Sequence, residues 1–349
     1  MNKGILFVIL CIFSFLVHAQ KVEIGELKTI YSSTLSEERE YFISLPENYT
    51  NKNFQDQKYP VIYIVDGEKF FHVTSGMVSN LSNGYYPLIP ECIIVAIKNT
   101  NRSRDLTPTK DSKLNYESGG ATKFTAFISE ELVPEINKNY RTLDYKLLIG
   151  HSFGGLFALN ILFDKPSTFN AYITIDPSLW WDDNLLVKKL DKNIKTLDFA
   201  GSVLFFANAN SIGNQPKPSE QHYAHFKAKK NTIEILNTTT PKNLNFVVKH
   251  YENEDHGSVV LPSLINGLRT VFTGFRINVK ELIKNPSLLE ENYSNLSSNL
   301  NYNFIPQATY INRVVDLALK RGEKENAIIL NNINKKLYPQ NNYLKSKFN

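Results

Sequence analysis

The sequence predicts an α/β fold: a mostly parallel sheet with helices on both faces. Three observations lead there. Short apolar runs alternate with stretches of helical spacing from Tyr59 to Phe275. Those runs are continuous, as in strands buried on both faces, and do not alternate apolar with polar. One run, Leu147-Leu148-Ile149, enters Gly150-His151-Ser152-Phe153-Gly154-Gly155 and leaves as the helical stretch Leu156–Leu162. That is a strand, a sharp turn and a helix with a serine at the apex, an elbow that holds the hydroxyl out over the sheet edge.

Taken in order, the 349-residue chain opens with Lys3, an apolar stretch from Ile5 to Val17, and Val17-His18-Ala19 before Gln20. This reads as a signal peptide over residues 1–19, with export to the periplasm or the medium. The stretch is too short to span a bilayer, so the mature chain is expected to carry no integral membrane segment. Cys11 leaves with the leader and Cys92 remains alone, so no internal disulfide forms. Cys92 heads an apolar run and reads as a buried thiol. The formal charge of +5 drops to about +4 without Lys3 and shows no basic tract, which argues against nucleic acid as a partner.

Two strands are expected at Leu27–Thr34 and Arg39–Leu45, and a third from Tyr59 to Val65, stopping at Asp66-Gly67. A helix near Phe70–Leu81 and a strand Cys92–Ile97 follow. A polar loop, Asn99 to Gly120, then leads into a helix from Ala121 to Asn139, where Phe124, Phe127, Ile128, Leu132 and Ile136 share a face. Beyond the elbow come strands at Ala171–Ile175, Ser202–Ala207 and Leu244–Tyr251. Helices are placed near Ser219–Thr232 and from Pro262 to about Phe275. These make up one domain over residues 20–277. Residues 278–349 change to Asn, Lys, Leu and Tyr with helical spacing at Ala308–Lys320 and Asn326–Leu337, a small helical extension.

A serine nucleophile needs a base, and the loop after the last core strand supplies His256 in Asp255-His256-Gly257-Ser258. The acid is less well marked. At the end of the strand before the base strand stand amides, Asn208 and Asn210, leaving Glu220 at the head of the next helix or a serine–histidine dyad with no acid. The oxyanion hole is assigned to the N–H of Phe153 and to Gly67 or Glu68. Arg102 and Arg104 leave a strand end and either clamp an anionic substrate or fix their loop through Asp105. Trp180 and Trp181 leave another, either to stack on substrate or to pack in the core. Neither a metal nor a cofactor is called for.

Together Val65-Asp66-Gly67, Arg102–Pro108, Gly150–Gly155, Pro177-Ser178-Leu179-Trp180-Trp181 and Asp255–Ser258 resemble the esterase D type family of α/β-hydrolases. The resemblance is nearest to its branch of enterobactin and salmochelin esterases and spans about residues 25–275. It implies hydrolysis of carboxylic esters, with a siderophore trilactone as one substrate, Ser152 as nucleophile and His256 as base. Some members of that branch are thought to lack a normal triad acid. A feruloyl or acetyl-xylan type carbohydrate esterase is the alternative hydrolase. A catalytically silent binding protein on the same scaffold is the alternative of another class.

Overall fold

The computed structural model describes residues 22–112, 115–212 and 217–341. The predicted leader, residues 1–19, lies outside them. Eight strands form one sheet: β1 (Glu26–Ser32), β2 (Glu37–Ser44), β3 (Tyr59–Ile64), β4 (Ile93–Ile97), β5 (Thr142–His151), β6 (Ala171–Ile175), β7 (Asp198–Ala209) and β8 (Lys242–Tyr251). Their order is β1-β2-β4-β3-β5-β6-β7-β8. β2 pairs antiparallel with both β1 and β4, and every other pair is parallel. The order reverses between β3 and β5, so the carboxyl end of β5 opens on the crevice where ligands bind in such sheets.

The continuous apolar runs serve both faces. Along β3, Ile62 and Ile64 join one buried cluster while Val61 and Tyr63 join the other, and β5 divides Leu147 and Ile149 from Leu148 in the same way. The first face is covered by α1 (Gly67–Ser82) and by the helix Val260–Val271. The second is covered by α3 (Ala121–Ala126), α4 (Val133–Asn139), α5 (Phe153–Asp164), α6 (Trp181–Asn193) and α7 (Glu220–Thr238). A short α2 (Arg102–Leu106) forms within the polar loop Asn99 to Gly120. The single helix expected over residues 121–139 is interrupted by a π-helical turn, Phe127–Leu132. There Glu131 Oε1 accepts hydrogen bonds from Ser33 Oγ at 2.7 Å and from Thr34 N at 2.9 Å, tying the helix to the β1–β2 turn.

α8 (Val260–Val271) is followed by α9 (Val279–Lys284), α10 (Leu288–Leu300), α11 (Ala308–Lys320) and α12 (Lys324–Leu337). Of these, α9 and α10 carry no clear signal in the sequence. The four helices bury Leu282, Tyr293, Leu296, Ile311, Val315 and Leu330 in the same apolar cluster as α1, α8 and the sheet. Polar contacts add to this: the buried Gln307 side-chain amide accepts from Glu91 N and donates to Glu91 O, and Arg313 pairs with Glu91 at 3.2 Å. No helix among the described residues is long and apolar enough to cross a membrane.

Candidate active site

Ser152 has φ 60° and ψ −115°, a strained turn between β5 and α5. Two glycines allow it by close approach. A Cβ on Gly150 would lie 2.1 Å from Gly154 O, and one on Gly154 would lie 2.7 Å from Val65 Cγ2. The hydroxyl thus stands above the sheet at the N-terminus of α5, where unpaired N–H groups and the helix dipole favour negative charge.

His256 Nε2 lies 3.1 Å from Ser152 Oγ, and His256 Nδ1 lies 2.6 Å from Asp176 Oδ2. With Nδ1–H donating to the carboxylate, Nε2 is left to accept the serine proton. The carboxylate that reaches the base is therefore Asp176, at the end of β6, and neither Glu220 nor an acid-free dyad. Glu220 is exposed at the first position of α7. The amides are also elsewhere: Asn208 bonds His250 Nδ1 at 2.9 Å and Asn210 donates to Glu252 O at 3.1 Å. His250 is itself exposed. The sequence marks Asp176 only as an aspartate directly after an apolar strand, in Asp176-Pro177-Ser178, and not as the partner of His256.

Asp176 is fully buried and takes four donors. Oδ2 accepts from His256 and from His225 Nε2 at 2.9 Å; Oδ1 accepts from Ala209 N at 3.0 Å and from the Lys229 ammonium. Burial alone would raise its carboxyl. The hydrogen bonds from His225 and His256 and the Lys229 charge outweigh burial and hold it well below the usual carboxylate range. His225 is pushed down by burial, against the pull of Asp176. Its buried Nδ1 has no partner, as befits a neutral ring donating through Nε2. His151 is lowered from 6.5 to about 4, first by burial and then by His256 beside it. Its Nε2–H donates to the His256 carbonyl at 2.7 Å and holds the base loop.

Asp176, His225 and His256 are also a possible ligand set for a metal ion. Tetrahedral ligands of one zinc, each about 2.0–2.1 Å from it, stand more than about 3 Å apart. The spacings of 2.6 and 2.9 Å suit shared protons better.

Ser178 is buried, and its Oγ lies 3.1 Å from Ser152 Oγ. Phe153, Ser178, Trp180, His222 and His256 line a cavity of about 280 Å³ over the serine. Trp180 therefore faces the site, but Trp181 is fully buried with Nε1 donating to Thr109 Oγ1 at 3.1 Å, so the pairing of the two tryptophans as substrate contacts is corrected.

Neither arginine is arranged as a substrate clamp. Arg102 grips Asp66 with two hydrogen bonds, at 2.6 and 2.9 Å, and stacks over Phe153. Arg104 spends Nε on Asp105 and both terminal nitrogens on Glu37. The loop-fixing alternative through Asp105 holds for Arg104, while Arg102 ties the loop to Asp66 instead. Asp66-Gly67 abuts the elbow, since a Cβ on Gly154 would lie 3.6 Å from Asp66 Oδ2. That keeps the Gly67 and Glu68 amides, in the first turn of α1, as candidates with Phe153 for the second oxyanion donor. The Glu68 carboxylate itself accepts from Asn99.

An elbow serine, a histidine from the loop after the last strand and a buried aspartate, set on this sheet, define a serine hydrolase of the α/β type. Residues 32–215 match the family model described as "Putative esterase", and the chain belongs to that family. It is 33% identical to the solved IroE-like serine hydrolase of Shewanella oneidensis, with a TM-score of 0.81 over 89% of this chain and 99% of that one. That share exceeds what residues 1–277 alone could supply, so the likeness takes in the C-terminal helices. The siderophore triacetylfusarinine C esterase of Aspergillus fumigatus is 28% identical over 66% of this chain and 87% of its own length. The ferri-bacillibactin esterase BesA of Bacillus subtilis is 38% identical over 38% of this chain and 52% of its own.

Proposed function

We propose that this esterase hydrolyses the ester bonds of siderophores through an acyl-enzyme on Ser152. The observation that carries the catalytic part is the chain of contacts Ser152–His256–Asp176 beneath an open cavity. Ser152 Oγ adds to the ester carbonyl as its proton passes to His256 Nε2, and Asp176 offsets the imidazolium charge. The new oxyanion meets the N–H of Phe153 and an amide from Gly67 or Glu68. His256 then returns the proton to the departing alcohol. Water repeats the sequence on the acyl-enzyme, freeing the acid.

The substrate class rests on the relatives, several of which are named for siderophore esters. The cavity is in keeping with it: Trp180 and Phe153 offer flat apolar surface to a ring-bearing ester. Export is part of the same reading, supported by the leader-like sequence of residues 1–19. Protein sequencing of the chain recovered from its host should begin at Gln20.

The test is a panel of purified substrates: a cyclic catecholate trilactone with and without iron, a feruloylated sugar, and acetylated xylan. The trilactone should be opened with the highest kcat/KM, and Ser152→Ala should abolish turnover with circular dichroism unchanged. Faster cleavage of the feruloylated sugar would move the enzyme to the carbohydrate esterases. Activity of Ser152→Ala within tenfold of the parent would remove Ser152 from the mechanism.

A further inference from the structure

Asp176 and His256 stand on parts of the sheet that do not adjoin. The aspartate follows β6 and the histidine follows β8, with β7 between them. The carboxylate must cross the end of β7 to reach the ring. Its backbone starts the crossing, with φ 43° at Asp176 and its N–H donating to Ala207 O at 2.9 Å. The far end of the reach is held by α7. Ser219 caps that helix, and His222, His225 and Lys229 fall at spacings of three and four on one side of it.

We propose that Lys229 and His225 are positioning residues for ester hydrolysis: they aim Asp176 across β7 and present its Oδ2 to His256. This rests on reading Ser152, His256 and Asp176 as the reacting group. Lys229 is fully buried, and its ammonium meets Asp176 Oδ1, Ala209 O at 3.0 Å and Ser211 Oγ at 2.6 Å. Three donors are thus spent on three acceptors, and Oδ1 is fixed to the end of β7 together with the Ala209 N–H. His225 pins the remaining oxygen from the side, so that oxygen has one direction left in which to meet a ring N–H. Burying such a pair adds little stability over an apolar pair of equal volume. What it supplies is a direction for the carboxylate, and that direction sets the tautomer of His256. No acid is then needed after β7, where Asn208 and Asn210 stand.

The experiment is a double-mutant cycle on the full chain. Lys229→Met should lower kcat by about ten- to hundredfold, the scale of a misplaced reacting group, with KM changed less than about twofold. Asp176→Asn should lower kcat further. The double variant Asp176→Asn/Lys229→Met should be no slower than Asp176→Asn alone, because Lys229 acts only through that carboxylate. The downfield proton resonance of the His256–Asp176 hydrogen bond should shift or vanish in Lys229→Met. Multiplying losses in the double variant, an unmoved resonance, or kcat within twofold in Lys229→Met would each overturn the inference. If Lys229→Met does not fold, His225→Gln replaces it in the same cycle with the same criteria. Ser152→Ala runs alongside. Activity surviving there defeats the reading of the site itself, whereas an inactive Ser152→Ala beside an unaffected Lys229→Met defeats this inference alone.

Discussion

Two segments leave strand ends on the same rim of the sheet and looked equally functional by composition: Asn101–Pro108 after β4, and Asp176–Trp181 after β6. In the first, the charges close on each other. Arg104 meets Glu37 and Asp105, buried Arg39 meets the same two acids, and Arg102 meets Asp66. In the second, the polar groups face the nucleophile, with Asp176 on His256, Ser178 on Ser152, and Trp180 on the cavity. What separates scaffold from site is where each side chain's bonds are spent. Arg104 spends all three guanidinium nitrogens on Asp105 and Glu37, and Arg102 spends Nε and one terminal nitrogen on Asp66.

The largest effect expected from this contrast is at Asp176. Asp176→Asn should lose on the order of 10³–10⁴ in kcat, the scale measured for the triad aspartate of a serine protease, while Glu220→Gln stays within twofold of the parent. Steady-state kinetics on one soluble ester decides it, and the reverse ranking would restore Glu220 as the acid.

Next comes the contrast between the two rims. Trp180→Ala should raise KM for an aryl-bearing ester by about tenfold, on the order of one lost aromatic contact, and leave acetyl esters little changed. Arg104→Gln should instead cost about 1–3 kcal/mol of stability through the partners it strands, with kcat/KM falling by the same factor on anionic and neutral esters. A selective loss on anionic esters in Arg104→Gln would return that arginine to the substrate site.

The smallest effect is a slope in stability with pH, and it comes from the elbow side. His151 takes up its proton near 6.5 when unfolded and only near 4 when folded. Its contribution is therefore complete above about 6.5 and is lost as pH falls toward 4. Denaturant midpoints should drop across that window in the parent and drop less in His151→Gln. Parallel slopes in the two proteins would mean that His151 is not the group responsible.

Much of this architecture was legible in the sequence because its determinants are local. Strands β6 and β3 are continuous apolar runs with turn residues after them, and the elbow is fixed by glycines whose missing side chains make room within the same few residues. The base was readable for the same reason, since His256 follows the last apolar strand directly. The helices α9 and α10 were not, because their apolar positions are few and gain meaning only against the face of the sheet they cover. The acid lay beyond local reading too. Ser152, His256 and the succession of strands and helices along the chain follow from the sequence alone. That the carboxylate comes from β6, that a lysine and a second histidine on α7 hold it, and that the arginines tie their loop to Asp66 and Glu37 were decided by tertiary structure. A side chain's partners across a sheet depend on which strands adjoin and how far it can reach, and neither is encoded within a few residues of Asp176.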